Sequence, residues 1–277
     1  MSKEYSILVD THVHIYDCHD LIRFFKKAKR NFSYYNKKLK LAEKFVGVLF
    51  LTESNAFHYF DKLSENSNNI IQDLEKEGFF KKKSDENCSL VFETDDSNFI
   101  IIIAGQQIIT KEKLEVLSLG TQQKVEYLLS LEETVRNIND LGAIPILPWG
   151  VGKWLGKRSD AVRSFIKENN SIEFFLGDNS GRPIFWSAPK LFTEGMKKKI
   201  YTLRGSDPLS LKSQERKAGS FGFYFISNID FNKPFLELKK MMYNLNEEPN
   251  NFGELENPFG FLKNQLMLRL SKVRLSR

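Results

Sequence analysis

Hydrophobic positions along the chain fall into two alternating kinds of run. Short stretches rich in β-branched and aromatic residues read as strands: Ser6–Asp10, Phe45–Thr52, Phe99–Gly105, Ala143–Leu147, Ile172–Gly177, Ile200–Gly205 and Phe221–Ser227, with shorter candidates at Leu90–Glu93 and Leu114–Leu119. Between them lie stretches of helical period. In one, Leu21, Phe24, Phe25, Ala28 and Phe32 share a face; another, Leu131–Leu141, opens on a capping box formed by Ser130 and Glu133 and stops at Gly142. This alternation predicts βα units and a mostly parallel sheet, with enough strands to close or nearly close a distorted β/α barrel. Asp95-Asp96, between two of the strands, predicts a hairpin and hence a short antiparallel insertion.

No repeat or low-complexity linker divides the 277 residues, so residues 1–243 read as one α/β barrel domain. Composition shifts near Asn244, and residues 244–277 read as an extension ending in a basic amphipathic helix. Phe259, Leu262, Leu266, Leu270 and Val273 share one face of it, beside Lys263, Arg269, Lys272, Arg274 and Arg277. An apolar face of this kind is expected to pack on the barrel.

Composition adds boundaries. A hydrophobic fraction of 41%, with 24 Phe, supplies a core without disulfide or structural metal. The two cysteines, Cys18 and Cys88, have no CxxC spacing, and the opening MSKEYSILVD lacks the layout of a secretory signal, so free thiols and a cytoplasmic location are expected. No apolar run approaches the roughly 20 residues of a membrane helix, so no membrane span is expected. The formal charge of +6 favours an acidic partner without naming one. The lysine runs 81–83 and 197–199 read as solvated segments. The expected partner is a small anionic substrate rather than a specific nucleic acid, and the oligomeric state is not legible.

Candidate chemistry begins at Asp10-Thr11-His12-Val13-His14, directly after the first apolar strand. Alternation along an extended segment turns His12 and His14 to the same side, where two imidazoles can share one metal ion. The rim at strand C-termini is where barrel active sites gather. His19 and His58 fall on predicted helices and read as structural or surface residues. Asp178-Asn179-Ser-Gly-Arg182 follows one later strand, and Trp149-Gly-Val-Gly-Lys153 through Lys157-Arg158 follows another. These are either an anion pocket, with glycines admitting backbone and Lys153 or Arg158 neutralising charge, or two glycine-rich turns with solvated charges. Arg216 and Lys217 either complete a phosphate clamp or form an exposed face.

With these residues in place, the chain resembles the PHP family, the polymerase and histidinol phosphatase domains. Asp10-Thr-His12-Val-His14 is similar to the family's first motif, and Thr52-Glu53-Ser54 stands where an Asp-His pair would follow the second strand. Gly105-Gln106-Gln107, the strand from Leu114-Glu115, Pro148-Trp149 and Gly205-Ser206-Asp207-Pro-Leu209 parallel the later motifs in order and spacing. The resemblance implies a metal-dependent phosphoesterase on a distorted seven-stranded β/α barrel. It also shows departures: Ser54, Gln107, Glu115, Trp149 and Leu209 stand where the family places His, Glu, His, His and His. The resemblance therefore implies one divalent ion (Zn, Mn or Fe) rather than a multinuclear centre, held by His12, His14 and Asp207 with Glu53, and with Glu115 as a further carboxylate. In that reading Asp207 or Asp178 takes up a proton, and Lys153, Arg158, Arg182, Arg204 and Asn179 hold the substrate. The expected function is hydrolysis of a phosphorylated or anionic small molecule; the alternative is a catalytically degenerate barrel that binds an anionic ligand or a protein partner.

Overall fold

The strand sequences read as continuous apolar runs because most are buried on both faces. The computed structural model, which describes residues 4–54, 56–65, 69–168 and 171–275, places them in two sheets. The first has the order β12 (Asn250–Gly253), β11 (Phe221–Ser227), β1 (Tyr5–Val13), β2 (Phe45–Leu51), β5 (Phe99–Ile103), β4 (Ser89–Thr94), β3 (Phe79–Lys82). The second has the order β10 (Thr202–Gly205), β9 (Phe175–Asn179), β8 (Ile144–Pro148), β7 (Glu115–Leu119), β6 (Gly105–Ile109). β1, β2 and β5 run parallel, as do β8, β9 and β10. β4 turns back on β5 through the expected hairpin.

Eight α-helices are present among the described residues: α1 (Leu21–Lys38), α2 (Tyr59–Ser64), α3 (Asn69–Lys76), α4 (Leu131–Asp140), α5 (Lys157–Glu168), α6 (Lys190–Met196), α7 (Pro234–Tyr243) and α8 (Pro258–Leu275). None is long and apolar enough to cross a membrane. The cores explain the layering. Leu8 and Phe45 pack with Phe24, Phe25 and Phe32 of α1, outside the first sheet. Ile7, Val9, Val46 and Val48 turn the other way, toward Leu117, Ile144, Ile146 and Leu203 of the second sheet. Outside that sheet, Leu147 and Leu176 meet Val135 and Ile138 of α4 and Val162 and Ile166 of α5.

The sheets do not join into the expected closed barrel. β1 is already paired on both edges, to β11 and β2, which leaves no ladder edge for β10. β2 is likewise held between β1 and β5, and among the described residues the ladder toward β6 is the single bridge Glu53–Gln106 just past the end of β2. Polar contacts stitch the β1–β10 seam instead: Thr11 Oγ1 donates to the Arg204 carbonyl at 3.0 Å, and Asp207 N donates to the His12 carbonyl at 2.7 Å. Gly205 permits this approach, since a Cβ there would lie 2.4 Å from His12 Cβ and N.

The C-terminal region departs from expectation too. β12 extends the first sheet. α8 touches the body through Phe261, whose ring meets Phe185 at 6.1 Å, and through Asn264, which donates to Glu256. The face expected to dock is exposed at Phe259, Leu262, Leu266 and Leu270. The side chains of Lys272, Val273 and Arg274, and Arg277 altogether, lie outside the described residues.

Candidate metal centre

β1 carries its polar end into the seam between the sheets. Asp10, fully buried, makes that junction: Oδ1 accepts from Ser206 N at 2.8 Å and His12 N at 3.3 Å, and Oδ2 accepts from Gly219 N at 2.8 Å. Burial pushes its carboxyl up to about 7, against the N–H donors that favour the charged form. One side chain thus fixes the turn after β10 and the entry to β11 against the first strand.

Downstream of this clamp the imidazoles of His12 and His14 face each other, with Nε2 atoms 3.0 Å apart. Asp207 Oδ1 lies 3.5 Å from His12 Nε2 and 3.6 Å from His14 Nε2. The three ligand atoms lie within 4.8 Å of one another, the histidines buried and Asp207 partly exposed. For ligands roughly 2.0–2.2 Å from a tetrahedral ion, neighbouring donors stand roughly 3.3–3.6 Å apart; the two histidine–Asp207 distances match that spacing, while the two Nε2 atoms, at 3.0 Å, stand closer together than two ligands of one ion would. Two imidazoles and a carboxylate also form a donor set suited to a divalent transition metal.

The surroundings prepare these groups for ligation. Burial pushes His14 down to about 3, helped by His12 and Lys153 and opposed by Asp207, so the ring is neutral at ordinary pH. Burial pushes Asp207 up, but His12, His14, Lys153 and Lys217 outweigh it and hold the carboxyl below its usual value. Asp207 takes the left-handed backbone conformation, φ +47, which a non-glycine residue adopts at a cost of about 1–3 kcal/mol unless its surroundings fix it. Its bond to the His12 carbonyl and the Asn179 side chain supply that fixing: Asn179 Nδ2 donates to Asp207 Oδ2 at 3.2 Å and to the Trp149 carbonyl at 2.8 Å. Tyr16 stacks on His14, centroids 5.4 Å apart and planes at 30°.

Other expected site residues are engaged elsewhere. Glu53 does not reach the cluster: its Oε1 accepts from Tyr59 N at 2.5 Å and Phe60 N at 3.3 Å, capping α2. Asp178 and Arg182 occupy each other, with Nε to Oδ1 at 2.9 Å and Nη2 to Oδ2 at 2.8 Å, both buried. The expected proton acceptor and the expected anion holder therefore form one structural pair. Arg158 donates to the Gly152 carbonyl at 2.6 Å, and Arg204 lies over the Phe221 ring at 4.8 Å. Glu115 pairs with Lys153, whose charge is nevertheless felt at both His14 and Asp207. His19, expected on a helix, sits before α1 and bonds the Leu209 carbonyl at 3.0 Å. Asp10, Tyr16 and the positioning role of Asn179 went unread; the position of Asp10 next to the HxH pair was the available signal.

No protein-family model matches the chain, and no curated protein matches it. Among solved structures it is similar to PsfC from Pseudomonas syringae PB-5123, with 14% identity and a TM-score of 0.43, over 86% of this chain and 98% of that one. It is also similar to the lesion-specific endonuclease PfuEndoQ from Pyrococcus furiosus, with 14% identity and a TM-score of 0.49, over 88% of this chain and 57% of that one. An endonuclease Q complexed with a 27-mer duplex bearing an abasic lesion gives 14% identity and a TM-score of 0.46, over 89% of this chain and 58% of that one. The chain spans a little over half of each endonuclease. Likeness of this degree assigns neither a family nor an activity to it.

Proposed function

We propose that the protein is a divalent-metal-dependent phosphoesterase of the PHP type, acting on a small phosphorylated molecule with one ion per chain. The observation that carries this reading is the convergence of His12, His14 and Asp207, distant in the sequence, into one cluster whose ligand atoms lie within 4.8 Å of one another. When bound there, a divalent ion lowers the pKa of a water and polarises the ester. His12 and His14 would present their Nε2 atoms to the ion. Asp207 presents Oδ1 to the same point while Asn179 steadies Oδ2, and its ionised carboxylate is a proton acceptor beside the water. Water would add to phosphorus and give its proton to the Asp207 carboxylate, and that proton would pass to the alcohol oxygen as the phosphorus–oxygen bond to the alcohol breaks. Lys153 offers positive charge to the phosphate from its place beside Glu115.

The test is a screen of phosphomonoesters and phosphodiesters with the purified protein supplied with manganese, zinc or iron. Metal-dependent hydrolysis is expected, with Asp207→Asn lowering kcat by about 100-fold or more. Its thermal unfolding should change little, because the backbone bond to His12 persists. Full activity in Asp207→Asn would contradict the proposal.

A further inference from the structure

α8 carries an apolar face that the described residues leave uncovered. At 3.6 residues per turn, Phe259, Leu262, Leu266 and Leu270 fall within an arc of about 80°, and they are between 51% and 78% exposed. The opposite side of the helix is the one that meets the body. Phe261 and Leu268 are half-buried there, and Asn264 accepts from Gln214 and donates to Glu256, both at 3.2 Å. Apolar residues thus stand on both sides of α8, and the fold uses only one of them. Beside its first turn, the loop after β9 enlarges the exposed apolar surface: Ile184 is 60% exposed, and Phe185, 64% exposed, sets its ring against Phe261.

Charge decides what can cover this face. From Pro258 to Arg277 the sequence holds five basic residues and no acidic one. Lys263 and Arg269, both exposed, flank the apolar stripe, one on either side. Glu254 and Glu256, just before α8, are paired with Lys38 and Lys217. Arg216, exposed on the turn whose Gln214 bonds Asn264, adds further positive charge. A second copy docked stripe to stripe would bring these cations together with no acidic residue between them. A polyanion would meet the cations and leave the leucines and phenylalanines in water. An anionic bilayer surface satisfies both: acyl chains receive the stripe, and headgroups receive the flanking charges, whose methylene stems lie along the apolar boundary. The helix is not long and apolar enough to cross a membrane, so its geometry is that of a helix lying in the interface.

We propose that α8 docks the protein on an anionic phospholipid bilayer, in the plane of the interface, with Phe259, Leu262, Leu266 and Leu270 among the acyl chains and Lys263 and Arg269 on the headgroups. The docking does not depend on the metal centre. The test is co-sedimentation of the full-length protein with vesicles of phosphatidylcholine containing phosphatidylserine, and with vesicles of phosphatidylcholine alone. Binding to the first is expected, weaker by about tenfold or more on the second and in high salt. Leu262→Ser combined with Leu266→Ser should weaken binding by about tenfold or more, as should Lys263→Glu combined with Arg269→Glu. Both variants should keep wild-type thermal unfolding, because all four side chains are exposed. No binding to phosphatidylserine vesicles would overturn the proposal. Undiminished binding by either double variant would overturn it too, since the contact would then lie on another surface or need no charge. A dimer in analytical ultracentrifugation that Leu262→Ser/Leu266→Ser dissociates, with no vesicle binding, would assign the face to a second copy instead.

Discussion

At the scale of single residues, the site depends on small and buried groups as much as on its ligands. Gly205 lets β10 lie against His12, and an added Cβ would press on backbone and on His12 Cβ, neither of which can rotate away. Gly205→Ala is expected to cost about 1–3 kcal/mol in stability and to weaken metal binding as well. Gly47→Ala is the control: its Cβ would meet the Phe32 ring beneath α1, on the far side of the first sheet, so stability should fall while metal affinity holds. Calorimetric titration of both variants checks the pair. His12 and His14 were legible because a two-residue period needs no tertiary information. Asp178 and Arg182 misled because residue type at a strand end does not show which charges will consume each other. In the fold that pair is buried and bidentate, and its partners are settled by the loop that returns Arg182 over the strand end.

Elements account for the other displaced ligand. Glu53 stands at the end of β2, where a metal ligand was expected, yet α2 begins six residues later and presents the Tyr59 and Phe60 N–H groups to it. A helix N-terminus in need of an acceptor has taken the carboxylate. Burial pushes Glu53 up to about 7 from 4.5. A folded-state pKa above the unfolded one means that the folded protein holds the proton more tightly. The contribution of Glu53 is therefore most favourable below about 4.5, falls as pH rises toward 7 and is level above it. The stability difference between wild type and Glu53→Gln should fall over that window by an amount on the order of 2 kcal/mol, since Gln can still accept both N–H groups. Chemical denaturation at pH 4.5, 6 and 8 checks it; a difference that does not change with pH, or one that rises, would contradict the dominance of burial over the two N–H bonds at this carboxyl.

For the whole molecule, the strand runs gave a sound account of the α/β character and most strand positions, because apolar β-branched runs mark strands buried on both faces. They could not show closure. Whether seven strands make a barrel depends on free ladder edges, and β11 takes the edge of β1 that β10 would need. Nor did they show β6: the expected strand Phe99–Gly105 ends where β6 begins, and the fold places β5 and β6 in different sheets. Despite the open seams, the strand ends meet at one rim, and His12, His14 and Asp207 meet there with them. The most direct test is metal stoichiometry on untagged protein, stripped and then reloaded with manganese, zinc or iron. One ion per chain is predicted, lost in His12→Ala and in His14→Ala and retained in Glu53→Gln. A wild-type chain that takes up no ion, or one whose ion departs with Glu53 while both histidine variants keep it, would contradict the account.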